Sequence, residues 1–303
     1  MHARSVVAAA FLVIPSASAA QAGGYGPVVL QLPASARAVG FGNAYVAVRE
    51  AEALFYNPAN VGGRNLIAVS VERYGDEAVD GAFAASYAFG PAGVGIGAKL
   101  LDYRVALPRY PDLAPNGARL LESGPYQASS FTAAVAFSMS FIGIRWGSAV
   151  KLAQDRVEAA RDGVVLVDVG AAREIGPVSL GASIQNLGSS PRVLGTSAAL
   201  PTRATVGFSG AGLPVGPLDF AASGALSVRR GGRITPAGGG ELSYVPIEGI
   251  VLAARVGARR PEVSAELPVT MGASFSFDRF TVDYGFEPYH GPGNGHRLGL
   301  RVR

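Results

Sequence analysis

Cysteine is absent from the 303 residues, so the chain can form no disulfide, no thiolate metal site and no lipidated N-terminal cysteine. Histidine is almost absent too. His2, His290 and His296 are the only three, which leaves little for imidazole catalysis or a histidine-rich metal centre. Charged residues make up 16% of the chain, against about 25% in ordinary soluble domains. The net charge of +4 is scattered, with no basic run that suggests a nucleic-acid partner. No apolar run reaches the about 20 residues that a membrane helix needs.

The one short apolar run, Val6 to Ile14, is informative by its position. Arg4 precedes it, and Pro15 to Ala20 follow as small residues with a breaker. This is the layout of a secretory signal peptide, with cleavage after Ala19 or Ala20. The sequence therefore predicts a leader over residues 1–20 and export of the rest. What the rest has in quantity is glycine, 41 residues in the whole chain, and a mean hydropathy of +0.27. An exported, apolar, weakly charged chain without a membrane helix can cross a bilayer only as a closed barrel, where every backbone group is paired between strands.

From about residue 67 the pattern has period two. Val178, Leu180, Ala182 and Ile184 share one face, and Ser179, Gly181, Ser183 and Gln185 the other. Phe131, Val135, Phe137, Met139 and Phe141 oppose Thr132, Ser138 and Ser140 in the same way. The last strand sets Leu298, Leu300 and Val302 against Arg297, Gly299 and Arg301. About fourteen such segments follow one another. A soluble β-sandwich alternates as well, but the connections separate the two architectures. Longer ones (73–80, 103–130, 154–163, 187–202, 229–236, 259–266, 288–295) alternate with tight ones such as Gly90-Pro91-Ala92, Ile142-Gly143 and Asp278-Arg279. Long loops at one rim and short turns at the other are a property of outer-membrane barrels. The expected fold is all-β: a transmembrane antiparallel β-barrel of about 14 strands over residues 67–303. Its inner face would carry small residues with isolated charges, among them Lys99, Arg145, Lys151, Asp168, Arg203, Glu241, Arg255 and Asp283.

Residues 21–66 read differently. Ala34 to Ala38 and Ala44 to Leu54 favour short helices, broken by Gly40, Gly42 and the Asn57-Pro58-Ala59-Asn60 turn. The segment is either a periplasmic arm or a small helical hatch folded into the barrel, and the small-residue inner face favours the hatch.

Leu32-Pro33-Ala34-Ser35-Ala36-Arg37-Ala38-Val39-Gly40-Phe41-Gly42-Asn43-Ala44, followed by Ala53-Leu54-Phe55-Tyr56-Asn57-Pro58-Ala59, resembles the opening signature of the PorV/PorQ family. These are relatives of the FadL/TodX-like transporters. Asn186-Leu187-Gly188 with Leu200-Pro201-Thr202-Arg203, Gly240-Glu241-Leu242-Ser243-Tyr244, and Asp283-Tyr284-Gly285-Phe286 with His296-Arg297 resemble later stretches of the same family in the same order. The resemblance implies a fourteen-stranded barrel with an N-terminal hatch. The chain departs from it in the proline-rich 103–130 connection and in ending on Val302-Arg303 rather than an aromatic residue.

No catalytic or cofactor constellation emerges. A serine hydrolase would need a Ser–His pair with an orienting polar group, for which His296 with Ser274 or Ser276 could be imagined, but those serines face the lumen and His296 belongs to the stretch that resembles the family. The chain is expected to be neither an enzyme nor a cofactor or metal protein. Two functions remain. One is a conduit for hydrophobic or amphipathic small molecules across the outer membrane. The other is a non-transporting partner of protein secretion, of the type IX kind, that receives secreted proteins on its outer loops. Outer-membrane lipid and the assembly machinery are expected partners of either. The structural residues singled out are Asn57, Pro58 and Ala59 in the hatch, and Asp283, Tyr284, His296 and Arg297 where the barrel closes.

Overall fold

The computed structural model describes residues 26–63, 65–75, 78–105, 126–157, 160–190, 192–193, 196–262, 266–290 and 293–303. The leader over residues 1–20 lies outside them. Fourteen long strands form one closed antiparallel barrel. They are β1 (Leu66–Tyr74), β2 (Ala78–Phe89), β3 (Ala92–Val105), β4 (Tyr126–Phe141), β5 (Ile144–Val157), β6 (Ala160–Ile175), β7 (Val178–Gly188), β10 (Arg203–Val215), β11 (Leu218–Arg229), β12 (Ile234–Ile247), β13 (Ile250–Arg259), β14 (Val269–Phe277), β15 (Phe280–Glu287) and β16 (Gly295–Val302). Two-residue strands β8 (Arg192–Val193) and β9 (Thr196–Ser197) pair only with each other, in the connection between β7 and β10. Each long strand pairs with its sequence neighbours, and β1 pairs with β16 from Ile67↔Val302 to Tyr74↔Gly295, which closes the wall.

The alternation read from the sequence sorts side chains as expected. Ile67, Val135, Phe137, Val150, Leu152, Val165 and Leu298 are exposed on the outer face, while Ala68, Ala134, Ala149 and Ala153 on the same strands are buried. Apolar groups that face out over a whole barrel surface have lipid as their natural solvent. Aromatic residues Phe89, Phe141, Trp146, Phe277 and Phe280 flank the short turns and are exposed, as in the interfacial girdle of a membrane barrel. No described helix is long and apolar enough to cross a membrane.

The connections are more even than the sequence suggested. The expected loop over 73–80 shrinks to the residues between Tyr74 and Ala78, and that over 154–163 to those between Val157 and Ala160. The 103–130 connection also loses its ends to β3 and β4, and residues 106–125 lie outside the described ones. Polar residues here extend the strands rather than end them. Strands β4 and β6 have 16 residues each, more than the 9–11 a tilted membrane crossing needs, so pairing continues beyond the apolar zone.

Candidate functional site: the hatch and its cradle

Residues 26–63 lie inside the barrel. They form a 3-10 turn over Val28–Gln31, a short helix α1 (Ala36–Gly40) and 3-10 turns over Ala51–Phe55 and Pro58–Asn60. The segment begins on the long-connection side, where the Gly26 N–H donates to the Ala199 carbonyl at 3.2 Å, and it leads into β1 at the short-turn side.

The helix expected over Ala44 to Leu54 forms only in its last residues. Its backbone carbonyls are claimed instead by wall serines and by two asparagines of the hatch itself. The Ser223 hydroxyl donates to Ala44 O, and Ser209 Oγ donates to Ala47 O at 3.1 Å. Asn57 and Asn60 both donate to Val46 O at 2.8 Å. The same device recurs around the lumen. Ser138 donates to Val61 O at 2.7 Å, Ser183 to Tyr56 O at 2.8 Å, Gln185 to Phe55 O at 2.6 Å and Thr270 to Val39 O at 2.6 Å. Lys99 Nζ bridges the carbonyls of Val29 and Leu32 at 2.7 and 2.5 Å. A buried irregular backbone must find partners for its polar groups, and the serines, threonines and lysine of the inner face supply them.

Glycine supplies the room. A Cβ on Gly147 would overlap the backbone of Pro58 and Ala59, and one on Gly257 would overlap the Gly42 amide. The wall glycines thus let β5 and β13 touch hatch backbone directly.

Asn57, Pro58 and Ala59 form the tightest of these contacts. Asn57 caps the turn, its Oδ1 accepting from the Ala59 N–H at 3.1 Å with Pro58 at the first position. Its Nδ2 reaches both Val46 O and, at 3.1 Å, the Ala171 carbonyl of β6. One side chain therefore ties two parts of the hatch to the wall.

Three of the charges read from the sequence as isolated, Glu241, Arg255 and Asp283, close a ring of alternating sign with Arg37, Glu50 and Arg301. Arg37 of α1 meets Glu50. Glu50 meets Arg301 at 2.6 Å. Arg301 Nε meets Asp283 at 2.6 Å. Asp283 meets Arg255 at 3.0 Å. Arg255 meets Glu241, and Glu241 returns to Arg37 at 3.1 Å. Two members come from the hatch and four from β12, β13, β15 and β16. Breaking one member of such a buried pair costs about 3–5 kcal/mol, although the pair as a whole contributes less than that to stability. Its value is in fixing where the hatch sits. Burial alone would raise the Glu50 carboxyl, but Arg301 and Arg37 outweigh it and hold it down to about 2. Glu52, two residues away, is buried, and one of its oxygens lacks a hydrogen-bond partner among the described residues. Burial, then the Glu50 charge, push it up to about 7.

Alternation splits the residues singled out at the barrel closure. Asp283 and Arg297 face inward. Arg297 is fully buried, bonded to Glu72 at 2.5 Å, to Asp80, and to Ser70 Oγ at 3.0 Å. Tyr284 and His296 face outward, with the Tyr284 hydroxyl 2.8 Å from His296 Nδ1. His296 is thus on the opposite face from Ser274, whose Oγ accepts from Arg255, so the Ser–His pair considered above does not form. Asn186 adopts a left-handed φ of 59° at a bulge in β7, where its N–H donates to Asp168 and its Nδ2 to Pro201 O. That accounts for the Asn186-Leu187-Gly188 and Leu200-Pro201 stretches lying together. The sequence did not reveal Arg37, Glu50, Glu72, Asp80 or Arg301 as a set, although charges at alternate positions of a small-residue face were the available signal.

On the short-turn side the hatch leaves a vestibule of about 490 Å3. Phe41, Val48, Leu66 and Val178 give it apolar wall, and Arg37, Arg49, Glu50 and Arg301 its charge. Beyond the hatch, toward the long connections, lie two smaller cavities of about 60 and 40 Å3 that both touch Gln31, Pro33, Asn43 and Arg203.

These features define a transmembrane fourteen-stranded β-barrel with a hatch in its lumen. No family model and no curated protein matches the chain. Solved structures do share the fold. The chain is similar to the Ralstonia pickettii toluene transporter TbuX, with a TM-score of 0.60 and 12% identity over 93% of this chain and 98% of that one. It is similar to the monoaromatic hydrocarbon channel CymD, with a TM-score of 0.57 and 10% identity over 92% and 96%. The Pseudomonas putida toluene transporter TodX gives a TM-score of 0.55 and 11% identity over 88% and 96%. The chain therefore shares its barrel fold with these structures.

Proposed function

We propose that this protein is an outer-membrane barrel of the PorV/PorQ type and a conduit for hydrophobic or amphipathic small molecules, not an enzyme. In this reading residues 1–20 are a cleaved leader, 21–66 an arm and hatch, and 67–303 the barrel. The observation that carries it is the vestibule beside the hatch, which combines apolar wall with arginines and so suits a molecule with both kinds of surface. The barrels it shares its fold with are, by name, toluene transporters and a hydrocarbon channel, which supports the same direction. Asn57, Pro58 and Ala59 hold the closure in place, and Asp283 and Arg297 hold the wall to which it docks. Nothing in the described residues favours the secretion-partner reading over this one, since most of the 103–130 loop it relied on lies outside them.

The test is uptake by proteoliposomes. Purified barrel should speed entry of toluene and of a short alkanoate over empty vesicles, while glucose entry stays near background. Equal entry of glucose and toluene would mean a general pore, and no entry of any solute would contradict the conduit.

A further inference from the structure

Proteins bury a lysine only with partners for its charge, and Lys99 is buried on the inner face of β3. Its ammonium bonds two backbone carbonyls of the hatch, Val29 O and Leu32 O, and meets no carboxylate at ion-pair distance among the described residues. Asp80 on the neighbouring β2 is taken by Arg297. An ammonium carries three N–H groups, so one of those on Lys99 remains to donate. Thr132 stands directly opposite Lys99 on β4. It is fully buried, and its hydroxyl has no hydrogen-bond partner among the described residues. On the next strand, β5, Lys151 pairs with Ala134, two positions from Thr132, and so flanks the threonine from the other side. Lys151 is buried too, with Asp168 at 2.5 Å and Asn186 at 3.3 Å, and it likewise keeps one N–H. Three consecutive strands thus bring two ammoniums and a hydroxyl together as donors.

Lys99, Thr132 and Lys151 line one cavity of about 40 Å3, covered by Leu30, Leu32 and Pro33 of the hatch. Its described lining includes Arg203 and no carboxylate. Asn43 also lines it, with a buried Oδ1 that lacks a partner, and a half-turn of that amide presents Nδ2 instead. One water occupies about 10–15 Å3 of such space, so the cavity admits one small ion or a few waters. Charge decides between them. Water satisfies the Thr132 hydroxyl but leaves the Lys99 ammonium without a countercharge, whereas an anion meets both needs.

We propose that Lys99, Thr132 and Lys151 bind a small monovalent anion of chloride size between the hatch and the wall. The anion accepts from the Thr132 hydroxyl and from the remaining N–H of each lysine. Because Lys99 also holds Val29 and Leu32, the ion ties the first turn of the hatch to β4 and β5. The site rests on the closed barrel and its hatch, and it does not depend on what passes through the lumen.

The experiment is anomalous diffraction at the bromine edge from crystals of the folded barrel grown in sodium bromide. Heat-modifiable gel migration first checks the fold of each sample, and its failure counts against the barrel, separately from the ion site. Wild type should show a bromide peak within hydrogen-bond reach of Lys99 Nζ and Thr132 Oγ1, and T132V should lose it. In solution, protease cleavage of wild type within residues 28–40 should be about fivefold slower in chloride than in gluconate at equal ionic strength, once chloride reaches about four times its Kd. T132V should be cleaved equally fast in the two salts. R173Q/R279Q, which removes two exposed charges near the short-turn rim, should behave as wild type does. If T132V does not fold, wild type alone decides. Ordered water only in the cavity, bromide at surface arginines only, a bromide peak with no chloride effect in solution, or T132V identical to wild type would overturn the proposal.

Discussion

Glu50 and Arg301 stand 251 positions apart in the chain, yet the Arg301 guanidinium bonds the Glu50 carboxylate at 2.6 Å. The contact joins the hatch to the strand that closes the barrel, and it belongs to a ring that returns through Asp283, Arg255, Glu241 and Arg37. Hatch and wall are thereby registered to each other by charge, in a lumen where apolar contacts alone would allow sliding.

Arg301→Met leaves Glu50 and Asp283 short of a partner and should weaken hatch docking by about 3–5 kcal/mol. The barrel itself should survive, because its strand pairing is untouched. Protease cleavage within residues 36–60 should become detectable while the heat-modifiable band persists. In the double variant Glu50→Gln/Arg301→Met the penalty should be smaller than the sum of the single effects. Additive effects would mean that the two side chains are not coupled.

Asn57→Ala removes the cap and both carbonyl contacts at once, leaving the Val46 and Ala171 carbonyls each with one partner fewer. Loss of a cap alone costs about 1 kcal/mol, and the buried contacts add to it. The barrel should fold and show raised conductance in planar bilayers. An unchanged conductance would count against the hatch as the closure.

Gly147→Ala and Gly299→Ala make a matched pair on the inner wall. The first places a methyl group into hatch backbone, whereas the second meets nothing nearer than the Ala36 Cβ at 3.4 Å, with Asp283 Cβ and Val69 O at 3.6 and 3.7 Å. Gly147→Ala should raise conductance or hydrogen exchange over residues 56–62, and Gly299→Ala should leave both near wild type. Similar behaviour of the two would show that the hatch is not closely seated on β5.

The Glu52 carboxyl is raised to about 7 by burial and by Glu50. A raised acid favours the docked hatch in its protonated form. That contribution is complete below the unfolded value near 4.5 and is lost as pH rises through about 7. Glu50, held down to about 2, does not titrate in this window. Hydrogen exchange in the hatch should therefore be slower at pH 5.5 than at pH 8, after correction for intrinsic rates, and Glu52→Gln should abolish the difference. A difference that persists in Glu52→Gln would assign it elsewhere.

The barrel was legible because its signal is local. Each strand carries its own period of two, and turns such as Asp278-Arg279 mark their own positions, so fourteen strands could be counted without knowing their neighbours. The hatch was legible only as a break in that pattern at Asn57-Pro58-Ala59. Its conformation over residues 44–50 was not, because Ser209 and Ser223, more than 150 positions away, take the carbonyls a helix would use. The charge ring was hidden for the same reason. Arg37, Glu241 and Arg301 look solitary in the chain and meet only when the barrel closes. Loop lengths were overestimated wherever polar residues prolong a strand past the membrane, as Gln154, Asp155 and Arg156 do in β5 and Arg161 and Asp162 in β6.

The central claim is a closed, membrane-embedded barrel, and its most direct test is heat-modifiable gel migration of the protein from purified outer membranes. The account predicts a fast-migrating band in that fraction that shifts to its full apparent mass on boiling. A soluble periplasmic protein with no shift would contradict it.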